Sequence, residues 1–245
     1  MFQVSQSLKR LRDYINTNVV DVTKCKWITL TYAENMTNTR LLYKDFKNFM
    51  AKMRYYFSEY KIEYIVAMEP QGRGSWHAHL ILIFDRTAPF IPNSTIERIW
   101  EHGFTVTHKL DNIDNVGAYL TAYLGDMEYN EKNLNLLREQ TTTHTRFEIK
   151  EVAEIDDIKL NTPKKFIKGG RLYLYPPKFN LYRCSRGIKA PDIIKLPYSE
   201  AIKKVGCASP TFTSAIKLID NISLKPFDKT IAYEFYNTSR KVPQN

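Results

Sequence analysis

Two short apolar segments joined by a turn decide the fold: they are Glu63-Tyr-Ile-Val-Ala-Met-Glu69 and Trp76-His-Ala-His-Leu-Ile-Leu-Ile-Phe84, with residues 70–75 between them. Apolar runs on either side of a glycine-containing turn predict a β-hairpin. The second run is apolar at successive positions from Leu80 onward. We therefore expect it to form a central strand that is covered on both faces.

The elements around this hairpin predict an α+β domain. Their order is a strand at 26–32, a helix at 39–58, the hairpin, a helix at 94–101, a strand at 103–109, a helix at 112–127 and a late strand at 230–236. This order favours an antiparallel β-sheet with flanking helices. We expect four parts: residues 1–25 as an N-terminal helical extension, 26–192 as the main domain, 128–157 as a loop-rich insertion within it, and 193–245 as a C-terminal extension that packs on the domain or completes it.

Length and composition limit the class of protein. A chain of 245 residues that is 43% apolar can bury one core and carry a modest extension. No apolar run reaches the ~18 residues of a membrane helix, and the first twelve residues lack the apolar stretch of a signal peptide. Three cysteines without a Cys-x-x-Cys pair argue against a disulfide framework and a cysteine-built zinc site. We expect a cytoplasmic protein.

Positive charge is concentrated in one segment. The chain carries a formal net charge of +10, and residues 159–189 contain nine basic residues, five aromatic residues and no acidic residue. Cations that contact phosphates, beside rings that stack on bases, are typical of a surface that binds single-stranded nucleic acid. The alternative is a solvated basic face whose aromatic residues turn into the core. The candidate DNA-binding residues, in this segment and outside it, are Arg73, Lys109, Lys164, Lys165, Lys168, Arg171, Lys178, Arg183 and Arg186.

A candidate metal site lies at the turn end of the hairpin. His77 and His79 are two apart on a strand and therefore project from the same face. Glu69 ends the partner strand, and pairing with His77 would bring its carboxylate to that face, whereas pairing with Trp76 would send it to the other. Two imidazoles and a carboxylate suit a catalytic divalent ion, Mg or Mn. The alternatives are satisfied polar histidines and a solvated Glu69.

Two tyrosines on the helix predicted at 112–127 are candidate nucleophiles. Tyr119 and Tyr123 are four residues apart, so their side chains share a helix face. The apolar residues Val116, Leu120, Leu124 and Met127 lie along that face too, so core packing is the alternative. A phenol with its ordinary pKa near ~10 is a poor nucleophile, and a bound cation can help it by polarising the phosphoryl group.

These motifs together resemble the HUH endonucleases, in particular the rolling-circle replication initiators of plasmids and phages in their two-tyrosine form. The motifs are Trp27-Ile-Thr-Leu-Thr-Tyr32, Glu69-Pro-Gln-Gly-Arg-Gly-Ser-Trp-His-Ala-His-Leu-Ile-Leu82 and Asn115-Val-Gly-Ala-Tyr-Leu-Thr-Ala-Tyr-Leu-Gly-Asp126. Two later stretches, Arg171-Leu-Tyr-Leu-Tyr-Pro-Pro and Tyr182-Arg-Cys-Ser-Arg-Gly-Ile188, are similar to a trailing segment of initiators from Gram-positive hosts and their phages. The resemblance covers residues 24–192.

The resemblance implies a ferredoxin-like or RRM-like nuclease fold and a specific reaction. Such an enzyme nicks a single-stranded or hairpin origin through a 5′-phosphotyrosine bond and leaves a 3′-hydroxyl that primes replication. Tyr123 corresponds to the residue that makes the first cut, and Tyr119 would make the strand-closing transfer. We find no G-x-x-x-x-G-K-[ST] loop in these 245 residues, so unwinding would come from a host helicase and synthesis from a host polymerase.

The sequence also departs from the family pattern. Many relatives have a lysine three positions after the nucleophilic tyrosine, and Ala122 and Asp126 stand at those positions here. Lys109, Lys159 or Arg73 could replace that charge, and Asp126 could be an additional metal ligand or a solvated carboxylate.

Other functions remain open from the sequence. A mobilisation relaxase and a single-strand transposase use the same chemistry. A non-catalytic single-strand-binding protein would need only the sheet and the basic segment. A His-x-His metal enzyme that acts on small molecules would leave the basic segment unexplained.

Overall fold

The computed structural model describes residues 2–72, 74–108, 110, 115–140, 148–155, 158–210, 212–220 and 227–236. The chain divides into two compact units, Met1–Pro191 and Asp192–Asn245. In the part of the chain that is described, no helix combines the length and the apolar character needed to cross a membrane.

The first unit contains five described helices and eight strands. The helices are α1 (Phe2–Asn18), α2 (Thr39–Tyr56), α3 (Asn93–Trp100), α4 (Val116–Gly125) and α5 (Glu131–Gln140). The strands are β1 (Cys25–Thr31), β2 (Ile62–Pro70), β3 (Trp76–Phe84), β4 (Thr105–His108), β5 (Met127–Glu128), β6 (Ile149–Ile155), β7 (Ile158–Ile167) and β8 (Tyr182–Cys184). Short 3-10 turns occupy Val22–Lys24 and Leu172–Leu174.

The second unit contains α6 (Tyr198–Val205) and an antiparallel hairpin of β9 (Phe212–Asp220) and β10 (Phe227–Phe235). The strand predicted at 230–236 lies within β10, apart from its last residue.

Five strands form the main sheet in the order β4-β1-β3-β2-β8, and every pair in it is antiparallel. The predicted fold class, an α+β domain with an antiparallel sheet and flanking helices, is confirmed. β3 is the middle strand, and residues Leu80, Ile81 and Leu82 are fully buried. The apolar run in the sequence therefore predicted the centre of the sheet correctly.

The two faces of the sheet bury two separate cores. Even-numbered apolar residues of β1, β2 and β3 pack with α2 and α3, as Leu30, Val66 and Leu80 do. Odd-numbered apolar residues pack with α1 and α4, as Trp27 and Ile65 do. This division follows from the two-residue period of a strand. Every odd-numbered side chain of these strands therefore faces the α1 and α4 side.

Helix α1 packs closely against α4 and belongs to the first unit rather than standing apart from it. A Cβ atom on Gly117 would lie 2.5 Å from the Arg12 carbonyl oxygen and 2.6 Å from Asn16 Oδ1. The Gly117 backbone N–H donates to Asn16 Oδ1 at 3.0 Å. Leu11 and Ile15, which are fully buried, lie in the same core as the apolar residues of α4. The segment predicted as an extension thus fixes the position of α4.

The prediction of a loop-rich insertion at 128–157 is wrong. The segment forms α5 and β6, and β5, β7 and β6 make a three-stranded sheet in that order. Leu137, Met127 and Ile167 bury one another in a small third core, which gives this polar segment a reason to order. Residues 141–147 and 156–157 of the predicted insertion lie outside the described residues.

The helix predicted at 112–127 is shorter than expected. It begins at Val116 and ends at Gly125, where Asp126 takes an extended conformation. Met127 opens β5 instead of continuing the apolar stripe of the helix. Residues 111–114 are not among the described residues.

Candidate metal centre

The register of the β2–β3 hairpin brings three possible metal ligands to one face of the sheet. Glu69 pairs directly with His77, as the sequence predicted, and Ala67 pairs with His79. On the other side of β3, Thr29 pairs with His79. Because directly opposed residues share a face, Glu69, His77, His79 and Thr29 all project towards α1 and α4.

The three ligand atoms lie close together. Glu69 Oε2 is 2.7 Å from His79 Nε2 and 3.9 Å from His77 Nδ1. One atom from each of these three side chains lies within 4.8 Å of the other two. Glu69 and His79 are buried, at 1% and 0% exposure, whereas His77 is partly exposed. We call these three residues the triad, and they are near enough to hold one metal ion.

The protonation of the triad suits a cation. Burial lowers the pKa of His79 to about 3, so its imidazole is neutral at physiological pH, which is the form that binds metals. A buried carboxylate such as that of Glu69 requires a positive partner. Imidazole nitrogen with carboxylate oxygen is a donor set that several divalent ions accept. The triad therefore fits a divalent ion without selecting one.

Two residues that sequence reasoning missed hold the second nitrogen of His79. Thr29 Oγ1 lies 3.2 Å from His79 Nδ1 and 2.9 Å from His108 Nε2. When His79 Nε2 faces a cation, Nδ1 carries the proton and donates to Thr29, whose hydroxyl then donates to His108. His108 also stacks on Trp27, with ring centroids 4.2 Å apart. The alternation of β1 was visible in the sequence, but its register against β3 and β4 was not.

Arg171 reaches the triad from the segment that follows β7. Its guanidinium Nη1 donates to Glu69 Oε1, the carboxylate oxygen that does not face His79. The Arg171 backbone N–H donates to the Gly125 carbonyl at 2.9 Å, at the end of α4. Asp126 Oδ1 accepts from the Gly169 N–H at 2.8 Å, and Asp126 is not a member of the triad. The segment is therefore fastened to α4, and Arg171, which we expected on a DNA-binding surface, forms an ion pair with a buried carboxylate.

Tyr123 lies beside the triad and is accessible to solvent. Its ring centroid is 5.2 Å from that of His79, and the residue is 48% exposed. Tyr119 lies one turn earlier, is partly buried, and contacts Trp27 edge to face at 5.5 Å. Val116, Leu120 and Leu124 are buried. Tyr123 thus points away from the apolar stripe that we expected it to share, and core packing does not account for it.

The other candidate DNA-binding residues are dispersed. Arg73 and Lys109, and the side chains of Lys159 and Lys164, lie outside the described residues. Lys168 pairs with Glu148 at 2.8 Å, and Arg183 lies over the Tyr43 ring with its guanidinium carbon 3.5 Å from the centroid. The remaining residues, Lys165, Lys178 and Arg186, are exposed.

The aromatic residues of the basic segment serve the core more than we expected. Tyr175 is 5% exposed, and Phe179 packs on Trp76 with ring centroids 4.6 Å apart. These two rings cannot stack on a base without leaving the core. Tyr182 is partly exposed at the sheet edge. The alternative interpretation of this segment, with its rings turned inwards, is correct for Tyr175 and Phe179.

Comparison with known proteins gives one family match. Residues 25–128 match the model of the replication-associated protein ORF2 family. Neither the curated proteins nor the solved structures that were compared with the chain gave a significant match. The matched region runs from β1 to β5 and includes the triad, Thr29, His108 and both tyrosines. This part of the chain is therefore similar to replication-associated proteins.

Proposed function

We propose that this protein is a DNA-nicking and strand-transfer enzyme that starts rolling-circle replication at a single-stranded or hairpin origin. The observation that carries the proposal is the position of Tyr123, an exposed phenol whose ring lies 5.2 Å from that of a buried triad histidine. The match to replication-associated proteins supports DNA as the substrate. The net charge of +10 favours a polyanionic partner.

Glu69, His77 and His79 would hold a divalent ion, Mg or Mn. The ion would supply positive charge that polarises a phosphoryl oxygen and fixes the phosphate for in-line attack. The burial of Glu69 and His79 keeps water from competing for these ligand atoms. Thr29 and His108 orient His79 so that Nε2 is available as a ligand.

Tyr123 is the nucleophile of the first step. Its phenolic oxygen forms a bond to phosphorus while the bond from phosphorus to the 3′-oxygen breaks. The phenol loses a proton, and the released 3′-oxygen gains one and becomes a hydroxyl. One phosphodiester is exchanged for one phosphotyrosine, so the step needs no ATP. The 3′-hydroxyl can then prime a polymerase.

Tyr119 serves the second, strand-closing transfer. One helical turn separates it from Tyr123, which corresponds to about 5–6 Å between Cβ atoms. It is the more buried of the two tyrosines and packs against Trp27. An exposed residue for the first attack and a sheltered one for the second fit this division of roles.

Arg171 replaces the lysine that the nucleophile helix lacks. An arginine remains charged throughout the physiological pH range and carries five N–H donors. One nitrogen bonds Glu69, and the side chain keeps 31% exposure, so further donors are available to a phosphate. Its backbone bond to Gly125 keeps that charge beside α4. Unwinding and synthesis would come from a host helicase and polymerase.

A denaturing gel tests the proposal. A pool of hairpin oligonucleotides with randomised loops and a 3′-end label is incubated with the protein and Mn²⁺, and a labelled band should migrate with the protein. Chelation should abolish the band, and His79→Ala should lose it while single-strand binding persists. Full cleavage in the presence of chelator would contradict the metal requirement.

Tyrosine variants assign the nucleophile. Tyr123→Phe keeps the ring and its packing but removes the attacking oxygen, so the adduct should disappear. Tyr119→Phe should still form the adduct and should fail to release a closed circle. The opposite pattern reverses the two roles, and cleavage by the double variant would show that tyrosine catalysis is wrong.

A further inference from the structure

A groove of about 550 Å³ lies beside β8, the strand at one end of the main sheet. Helix α1 contributes Arg10 and Tyr14 to its lining, and Tyr182 and Arg183 come from β8. The described residues that line it include no acidic side chain. The groove is thus positively charged and aromatic, and it does not overlap the triad.

The groove begins close to the triad on the same face of the sheet. Tyr182 pairs directly with Ala67, so both side chains project towards α1. Ala67 precedes Glu69 by two residues on β2, a distance of about 7 Å along a strand. A DNA strand whose phosphate lies at the triad therefore passes the groove within about one nucleotide.

The groove offers two kinds of contact to a nucleic acid. The Tyr14 and Tyr182 rings lie 6.0 Å apart at 49° and form an aromatic wall. Arg183 is held on the Tyr43 ring at 3.5 Å, and the Tyr43 hydroxyl donates to the Asn180 carbonyl, so this guanidinium is fixed in place before any ligand arrives. Rings that stack on bases, beside cations that contact phosphates, are the two parts of a single-strand-binding surface.

We propose that this groove binds the single strand adjacent to the cleaved phosphodiester. Tyr14 and Tyr182 stack on an unpaired base, and Arg10 and Arg183 contact the flanking phosphates. Stacking requires a base that is free of its partner, so the groove takes a single strand and not a duplex. The inference rests on the proposed function and specifies how its substrate is held.

A charge-matched pair of variants tests the phosphate contacts. Arg10→Gln removes a groove cation, whereas Lys9→Gln removes an equal charge from an exposed residue of α1 that does not line the groove. Binding of a fluorescent single-stranded oligonucleotide is measured by anisotropy over a range of salt concentrations. Arg10→Gln should reduce the log–log salt slope by about 0.7, the value for one phosphate contact on a single strand, and Lys9→Gln should leave it unchanged. Equal slopes for both variants would overturn the proposal.

A second pair tests the stacking. Tyr14→Leu keeps apolar volume but removes the ring, and it should weaken single-strand binding by about 5- to 100-fold. Tyr14→Phe keeps the ring and should bind like the unmodified protein. Urea unfolding of both variants checks that the fold is intact, and the Arg10 result stands if Tyr14→Leu does not fold. Equal affinity of the two folded Tyr14 variants would refute stacking.

The two proposals fail in different ways. If the protein forms the covalent adduct but Arg10→Gln keeps its salt slope, the groove proposal is wrong and the nicking function stands. If no adduct forms but Arg10→Gln loses slope, the groove binds nucleic acid and the nicking function is wrong. If the protein binds no single-stranded DNA, both are wrong.

Discussion

Replacing Thr29 by valine should separate metal binding from the rest of the fold. Valine has nearly the shape of threonine, and Thr29 is 7% exposed, so the packing beneath α4 is kept. The change removes the hydroxyl that lies 3.2 Å from His79 Nδ1 and 2.9 Å from His108 Nε2. His79 is fully buried, so water cannot take the place of that hydroxyl.

The expected magnitudes follow from those contacts. Loss of a hydrogen-bond partner behind a metal-binding histidine typically costs about 10- to 100-fold in metal affinity or activity, or about 1.4–2.8 kcal/mol. A buried imidazole nitrogen that loses its partner costs about 1–3 kcal/mol of folding free energy. His108 is only partly buried, and we expect its share to be smaller.

Titration of Mn²⁺ and urea unfolding measure the two effects separately. Thr29→Ser is the matched control, because it keeps the hydroxyl and loses one methyl group; it should keep metal affinity and lose stability alone. If Thr29→Val binds Mn²⁺ as tightly as Thr29→Ser does, the hydroxyl does not orient His79 and the argument fails.

Three further predictions follow from other contacts. Arg171→Gln should slow adduct formation by about 100-fold or more without weakening Mn²⁺ binding, because it removes a cation that competes for Glu69 while it would stabilise the phosphate; an equal loss of both would mean that Arg171 only positions Glu69, and Lys168→Gln is the control. Gly117→Ala should lower the free energy of unfolding by about 1–3 kcal/mol despite the better helix propensity of alanine, because its Cβ meets the Arg12 carbonyl at 2.5 Å; Gly125→Ala, whose Cβ meets the movable Leu8 side chain at 3.1 Å, should cost less in the same urea titration. Burial raises the pKa of Cys25 to about 12 from 9.0, so the unfolded chain loses this proton first and stability should fall as pH rises from 9 towards 12; Cys25→Ala should remove that share of the slope, and an unchanged slope would contradict the assignment.

The sequence predicted the hairpin and the register of its ligands because strands have a fixed two-residue period. Once Glu69 and His77 are opposite each other, the faces of Ala67 and His79 follow without further information. The central position of β3 followed from its apolar run in the same way. Local patterns of this kind carry their own geometry.

Contacts between distant segments could not be predicted in that way. Thr29 and His108 meet because β1 pairs with both β3 and β4, and no local pattern states that register. Arg171 was visible as a cation, but its bond to Glu69 depends on how the segment after β7 attaches to α4. Polar residues 128–157 were interpreted as loops because the buried partners of Leu137 lie in other segments.

The parts of the centre become available at different times during synthesis. Glu69 and His79 are ten residues apart and lie on one hairpin, whereas Arg171 follows Glu69 by 102 residues. At about 5–20 residues per second, a ribosome adds that interval in roughly 5–20 s. A nascent chain therefore acquires its metal ligands well before the arginine. A translation product that stops ahead of residue 171 would retain the ligand hairpin but lack the cation assigned to the transferred phosphate.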